Sequence, residues 1–174
     1  PLHGFVWRQD LGYILGKYDL WSRYEPEQRG VVIAYASVYG GTENAANILA
    51  CRLREQGVQV EMFDTSVTPA SYILAAAFRF SHVVLAAPTY NGGVFVTMEN
   101  LLHDLTAHGL KGRRAAYIEN GSWAPTSARG MQKLLEPLNW ETAADTVTLR
   151  SALRQGQQED LERMATQLAE SVKA

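Results

Sequence analysis

From Val31 onward, short apolar runs alternate with longer stretches in which apolar residues recur at helical spacing, and this restricts the fold more than any other feature. "VVIAYA" (Val31–Ala36), "HVVLAAP" (His82–Pro88) and "RAAYIEN" (Arg114–Asn120) read as strands covered on both faces. "VQVEMFD" (Val58–Asp64) and "DTVTLRS" (Asp145–Ser151) alternate instead, as strands at the edges of a sheet do. Between them lie helical patterns. The first presents Ala45, Leu49 and Leu53 and stops at Gly57; a short one follows around Ser71–Phe80. The next presents Val94, Met98, Leu101, Leu102 and Leu105 until Gly109; "MQKLLEPL" belongs to a fourth, and Leu161, Met164, Ala165, Leu168 and Val172 mark the last. Five strands separated by helices predict an α/β architecture: a parallel sheet of order 2-1-3-4-5 with helices on both faces.

That order has its switch point between the first and third strands, and ligands bind beyond the carboxyl ends of the strands there. Three loops fall at this end. "SVYGGTEN" leads into a helix, so successive backbone N–H groups and the helix dipole favour an anion, with Ser37 and Thr42 adding hydroxyls and Gly40 and Gly41 allowing close approach. The loop lacks the lysine of a nucleoside-triphosphate loop and the spacing of G-x-G-x-x-G, and suits a single terminal phosphate monoester. A plain tight turn with Thr42 capping the helix is the competing reading. "PTYNGG" (Pro88–Gly93) offers backbone groups and the flat face of Tyr90; "NGSWAP" (Asn120–Pro125) places Trp123 as a loop anchor or as a wall of a planar pocket. The ligand that these three loops describe together is flavin mononucleotide.

"YASVYGGTEN", "APTYNGG" and "ENGSWAP", in this order, resemble the flavodoxin-like domain of the flavodiiron proteins, and the resemblance extends over essentially the whole chain. Tyr39 immediately before the first glycine is the flavodiiron form of the phosphate loop. Val38 and Gly41 depart from it, standing where the pattern has Met and Asn. The resemblance implies a flavodoxin-like three-layer sandwich over residues 30–174, binding FMN through Ser37, Val38, Tyr39, Gly40, Gly41, Thr42, Pro88, Thr89, Tyr90, Asn91, Gly92, Gly93, Asn120, Gly121, Ser122, Trp123 and Ala124. It implies electron transfer from a reductase or rubredoxin-like donor to a diiron centre that reduces O2 to water or NO to N2O, in a parent protein assembled head to tail. This chain alone is expected to carry electrons only.

Residues 1–29 stand outside the strand pattern. Leu11, Ile14, Leu15, Tyr18 and Trp21 form a helical stripe closed by Pro26, and the segment resembles the tail of the metallo-β-lactamase-like domain that precedes the flavin domain in this family. His3 maps onto a family iron ligand, but the rest of that ligand set is missing and His82, His103 and His108 lack metal-ligand spacing, so no metal site is expected. The segment is expected to act as a linker helix packed on the flavin domain.

Composition excludes several classes. A net charge of −2 without a basic cluster argues against nucleic acid. No apolar segment approaches the roughly 20 residues of a membrane helix and no leader opens the chain, which points to a cytoplasmic protein. Cys51 is the only cysteine, so no internal disulfide is possible; its place in an apolar helical pattern predicts a buried small side chain. No catalytic dyad, triad or carboxylate pair is visible. A free-standing flavodoxin carrier and a flavin NAD(P)H:quinone oxidoreductase remain as alternatives on the same fold. A phosphoacceptor receiver domain is rejected, because Ala36-Ser37 and Ala87-Pro88 stand where it needs acids.

Overall fold

The computed structural model describes residues 4–174; His3 lies outside them. After helix α1 (Leu11–Ser22), the described chain runs β1 (Gln28–Tyr35), α2 (Gly41–Glu55), β2 (Val60–Asp64), α3 (Ala70–Arg79), β3 (Phe80–Tyr90), β4 (Gly93–Val94) and α4 (Val96–Ala107). It continues through β5 (Arg114–Asn120), α5 (Ser127–Leu135), β6 (Glu141–Thr142), β7 (Val147–Leu149) and α6 (Gln155–Lys173). The parallel sheet has the order β2-β1-β3-β5, with β6 and β7 both on the outer edge of β5. The expected 2-1-3-4-5 order holds, with the fifth position shared by two short strands.

Helices cover both faces because β1, β3 and β5 are apolar on both. One face packs Ile33, Val84 and Ile118 against Leu49 and Leu53 of α2 and Leu161 and Leu168 of α6. The other packs Leu85 and Tyr117 against Ile73 of α3, Leu101 and Leu105 of α4 and Met131 of α5. These side chains are essentially removed from water, and each such burial contributes about 1.5–3 kcal/mol.

Four expectations are corrected. The third strand runs on to Tyr90 and turns back through Asn91 (φ 49°) and Gly92 (φ 75°), pairing Thr89 with Val94 and Tyr90 with Gly93. An Asn-Gly pair at positive φ is the signature of a two-residue hairpin, so "PTYNGG" is strand and turn rather than loop. The fifth strand, expected as Asp145–Ser151, is broken: the Asp145 N–H donates to Gln167 Oε1 of α6 instead of to β5, and Ser151 lies beyond β7 at φ 67°. Cys51 is exposed, because the buried stripe of α2 runs through Ala46, Leu49, Ala50 and Leu53 and leaves position 51 outside. Finally, α1 buries none of its residues. Leu11, Tyr13, Leu15 and Tyr18 are all exposed, while Ile14, Lys17, Leu20 and Trp21, at helical spacing, are half-buried, so of the expected stripe only Ile14 and Trp21 are partly covered. Its last turn is tethered through Glu27, which takes the Lys17 ammonium and the Trp21 indole N–H. Burial alone would raise the Glu27 pKa, but these bonds and the Lys17 charge hold it below the usual carboxylate value.

Candidate functional site at the carboxyl ends of the strands

The loops after β1, β3 and β5 converge on a cavity of about 550 Å³ at the carboxyl rim, a volume within the range of small-molecule and cofactor sites. Its lining includes Ser37, Val38, Tyr39, Gly41 and Thr42 from the first loop, Pro88, Thr89 and Tyr90 from the end of β3, and Asn120, Gly121 and Ser122 from the end of β5. Gly40, Asn91, Gly92, Gly93, Trp123 and Ala124, which the sequence also marked, do not line it. Asn91, Gly92 and Gly93 form the hairpin that carries Tyr90, and Trp123 is 93% exposed.

A fourth wall comes from the segment after β7, with Ser151 and Ala152, and Phe95 at the start of α4 completes the lining. Phe95 meets Tyr90 edge-on, with 5.6 Å between centroids. No sequence motif marked Ser151 or Ala152; the polar and small residues following a fifth strand were the available signal. Phe95 was hidden inside a helical apolar pattern.

The first loop is built for close approach. Gly40 sits at φ 80°, in the left-handed region. Gly41 opens α2 directly beneath the fourth wall: a Cβ there would lie 2.4 Å from the Ser151 carbonyl oxygen and 3.2 Å from Asn120 Nδ2. Glycine at 41 is thus dictated by the neighbouring segment. The first helical bond of α2 is Asn44 N–H to Gly40 O, at 2.8 Å. The N–H groups of Gly41, Thr42 and Glu43 therefore precede the helix ladder, at the positive end of its dipole.

Three hydroxyls of the site are held by the protein as acceptors. Ser37 Oγ accepts from Gly40 N–H (3.1 Å), Thr42 Oγ1 from Asn120 Nδ2 (3.3 Å), and Thr89 Oγ1 from the N–H groups of Thr126 (2.9 Å) and Ser127 (3.1 Å). Among the described residues none of the three donates its proton to a protein acceptor. Thr42 is 2% exposed, and a buried hydroxyl with an unused proton carries a desolvation cost unless a ligand takes it. The lining contains no Asp, Glu, Lys or Arg. Tyr35, at the end of β1, is held above its ordinary value by burial and then by Glu43 and Asp64, so its phenol stays neutral. Recognition here rests on neutral donors and helix N–H groups.

A larger depression, about 780 Å³ around Arg129, Lys133, Glu136 and Trp140, lies along α5 rather than at this rim. Among the described residues no three His, Cys, Asp or Glu side chains are grouped to hold a metal ion, and no helix is long and apolar enough to cross a membrane.

No family model matches the chain. It is 29% identical over 136 residues to the nitric oxide reductase of Moorella thermoacetica, covering 78% of this chain and 33% of that protein. It is 23% identical over 176 residues to the rubredoxin-oxygen oxidoreductase of Megalodesulfovibrio gigas, covering 100% of this chain and 44% of the relative. In fold it matches the flavodiiron protein of Giardia intestinalis with a TM-score of 0.86 at 20% identity, over 98% of this chain and 42% of the other. The chain thus spans between about a third and under half of the length of these proteins. It is similar in sequence to proteins named for nitric oxide and oxygen reduction, and shares its fold with the flavodoxin-like part of a flavodiiron protein.

Proposed function

We propose that residues 30–174 form an FMN-binding electron-transfer domain. The observation that carries this reading is the convergence at the switch point of helix N–H groups and unused hydroxyl protons with an uncharged, partly aromatic cavity. Loop one, with Ser37, Thr42 and the first N–H groups of α2, takes the terminal phosphate. Tyr90 and the backbone around Pro88, Gly121 and Ser122 bound the ring, and Trp123 and Tyr39, both exposed on the rim, are the side chains free to cover it. Bound FMN supplies one- and two-electron redox chemistry. The residues of this chain bind the phosphate, orient the ring and exclude water from part of it.

In the parent protein the domain passes electrons from a rubredoxin-like or flavin reductase donor to a diiron centre that reduces O2 or NO, with subunits arranged head to tail. The relatives named for nitric oxide and oxygen reduction support that assignment. Residues 1–29 are then the tail of the preceding domain. The exposed Phe5, Leu11, Leu15 and Tyr18 support this, since apolar side chains gathered on one surface segment mark a contact with another surface.

The test is a visible spectrum with metal analysis on the same purified sample. We expect flavin absorption released as FMN and no iron. A colourless protein that stays apo after addition of FMN overturns the reading.

A further inference from the structure

The flavin reading assigns the phosphate to loop one but leaves open why a strand-end asparagine and the segment after β7 are built into the same place. Asn120 is 7% exposed and uses both ends of its amide. Nδ2 donates to Ser151 O (2.9 Å) and to Thr42 Oγ1 (3.3 Å), and Oδ1 accepts from Ser151 N–H (2.9 Å). The pair of hydrogen bonds to Ser151 imitates a strand pair where β7 has ended, and it holds Ser151 in its left-handed conformation with the carbonyl pressed over Gly41. A second link, between the hydroxyls of Ser122 and Ser151 (2.9 Å), fastens the same segment to loop three.

The bond to Thr42 has a chemical consequence. A hydroxyl has one proton and two lone pairs. With one lone pair occupied by an amide N–H that cannot accept in return, the Thr42 proton must point elsewhere, and Thr42 lines the cavity. Resting on the flavin reading above, we propose that Asn120 is a positioning residue for phosphate recognition: it clips the segment after β7 to the rim and sets the Thr42 hydroxyl as a donor toward the phosphate of the flavin. Asn120 acts through Thr42, so its effect belongs to the phosphate and not to the ring.

The test compares FMN with riboflavin, which lacks the phosphate, by fluorescence quenching on the apo full chain. The variants are Asn120→Ala, Thr42→Val and the double variant, each checked by thermal unfolding. Wild type binds FMN more tightly than riboflavin. Each single variant loses about 10- to 100-fold in FMN affinity, the range for a hydrogen bond to a charged group, with riboflavin changing about twofold or less. The double variant loses no more than the worse single one, since the two residues act as one unit. Equal losses for FMN and riboflavin in Asn120→Ala, or losses that multiply in the double variant, overturn the proposal. Should Asn120→Ala not fold, Asn120→Asp keeps an acceptor for the Ser151 N–H but cannot donate to Thr42. It should lose the preference for FMN, and a retained preference overturns the proposal equally. A wild-type chain that binds neither compound refutes the flavin reading itself, which is a different outcome.

Discussion

The two rims of the sheet treat their polar groups in opposite ways. At the carboxyl rim, Ser37, Thr42 and Thr89 accept from the protein and keep their protons unused. At the amino rim two buried side chains, Arg113 and His82, close on protein partners, while Arg79 Nε at the end of α3 is buried without one. Arg113, 2% exposed, donates to five backbone carbonyls: Ala77 and Phe78 at the end of α3, Tyr24 after α1, and Lys111 and Gly112 beside it. His82, 3% exposed at the start of β3, holds Ser81 Oγ at 2.8 Å with Nδ1 and Ser171 Oγ of α6 at 2.9 Å with Nε2. A polar group satisfied within the protein holds the fold together; one left with an open valence is available to a ligand.

The largest effect that could break this comparison lies at Arg113. Burial pulls its pKa down to about 10, so it remains charged at neutral pH, and its removal leaves several buried carbonyls without a donor. Arg113→Leu should lower stability by about 3–5 kcal/mol in urea unfolding, as removal of one partner from a buried charged network does, while the folded fraction keeps its preference for FMN over riboflavin. A loss below about 1 kcal/mol would show that the amino rim is not closed in the way described.

His82 gives the next largest effect. Burial, then the charges of Arg114 and Arg29, lower its pKa from 6.5 to about 4. The groups facing it are those two guanidinium groups on β5 and β1 and the neutral hydroxyls of Ser81 on β3 and Ser171 on α6. The unfolded chain takes up a proton near pH 6.5 and the folded one only near 4, so the stabilisation of the neutral ring is complete above about 6.5 and is lost as the pH falls between those values. The loss reaches about 2–3 kcal/mol. It should appear as the difference in urea midpoint between wild type and His82→Gln, measured from pH 7.5 down to 4.5. Parallel profiles for the two proteins would mean that His82 is not held neutral.

Gly41 sharpens the comparison from the ligand side. Gly41→Ala adds a Cβ 2.4 Å from the Ser151 carbonyl oxygen, so the segment after β7 must move off the phosphate loop. FMN affinity should fall about tenfold or more, a cost of about 1.4 kcal/mol or above. Alanine's better helix propensity offsets up to about 1 kcal/mol of the strain in the unliganded protein. Unchanged FMN affinity in this variant would detach the fourth wall from the site.

Gly41 also shows where the sequence was legible. The central strands, the sheet order and the loops after β1 and β5 could be read because each rests on local pattern: continuous apolar runs, helical periodicity, and glycine before a helix. What could not be read depended on distant partners. Ser151 is held at the site by Asn120, 31 residues earlier, which pairs with its backbone, and by the Ser122 hydroxyl, and no periodicity encodes those pairings. Cys51 was misplaced because a helical stripe is about 100° wide and position 51 falls just past its edge. The hairpin at Asn91-Gly92 was legible and passed over: its Asn-Gly turn signal was present, but "PTYNGG" was read as a loop that follows the strand.

The smallest expected effect separates the two uses of a hydroxyl within one rim. Thr89 Oγ1 accepts the N–H groups of Thr126 and Ser127, which open α5, and its proton is unused. Thr89→Val keeps the shape but removes both roles. The two helix-opening N–H groups lose their acceptor, costing about 1 kcal/mol in urea unfolding of the apo protein. The lost donor lies at the end of β3, on the ring side of the cavity, so FMN and riboflavin should weaken together, by about tenfold or less. Thr42→Val, by the proposal above, should weaken FMN and spare riboflavin. If Thr89→Val weakens FMN while sparing riboflavin, the phosphate reaches the end of β3, and the division of the cavity into a phosphate side and a ring side must be redrawn.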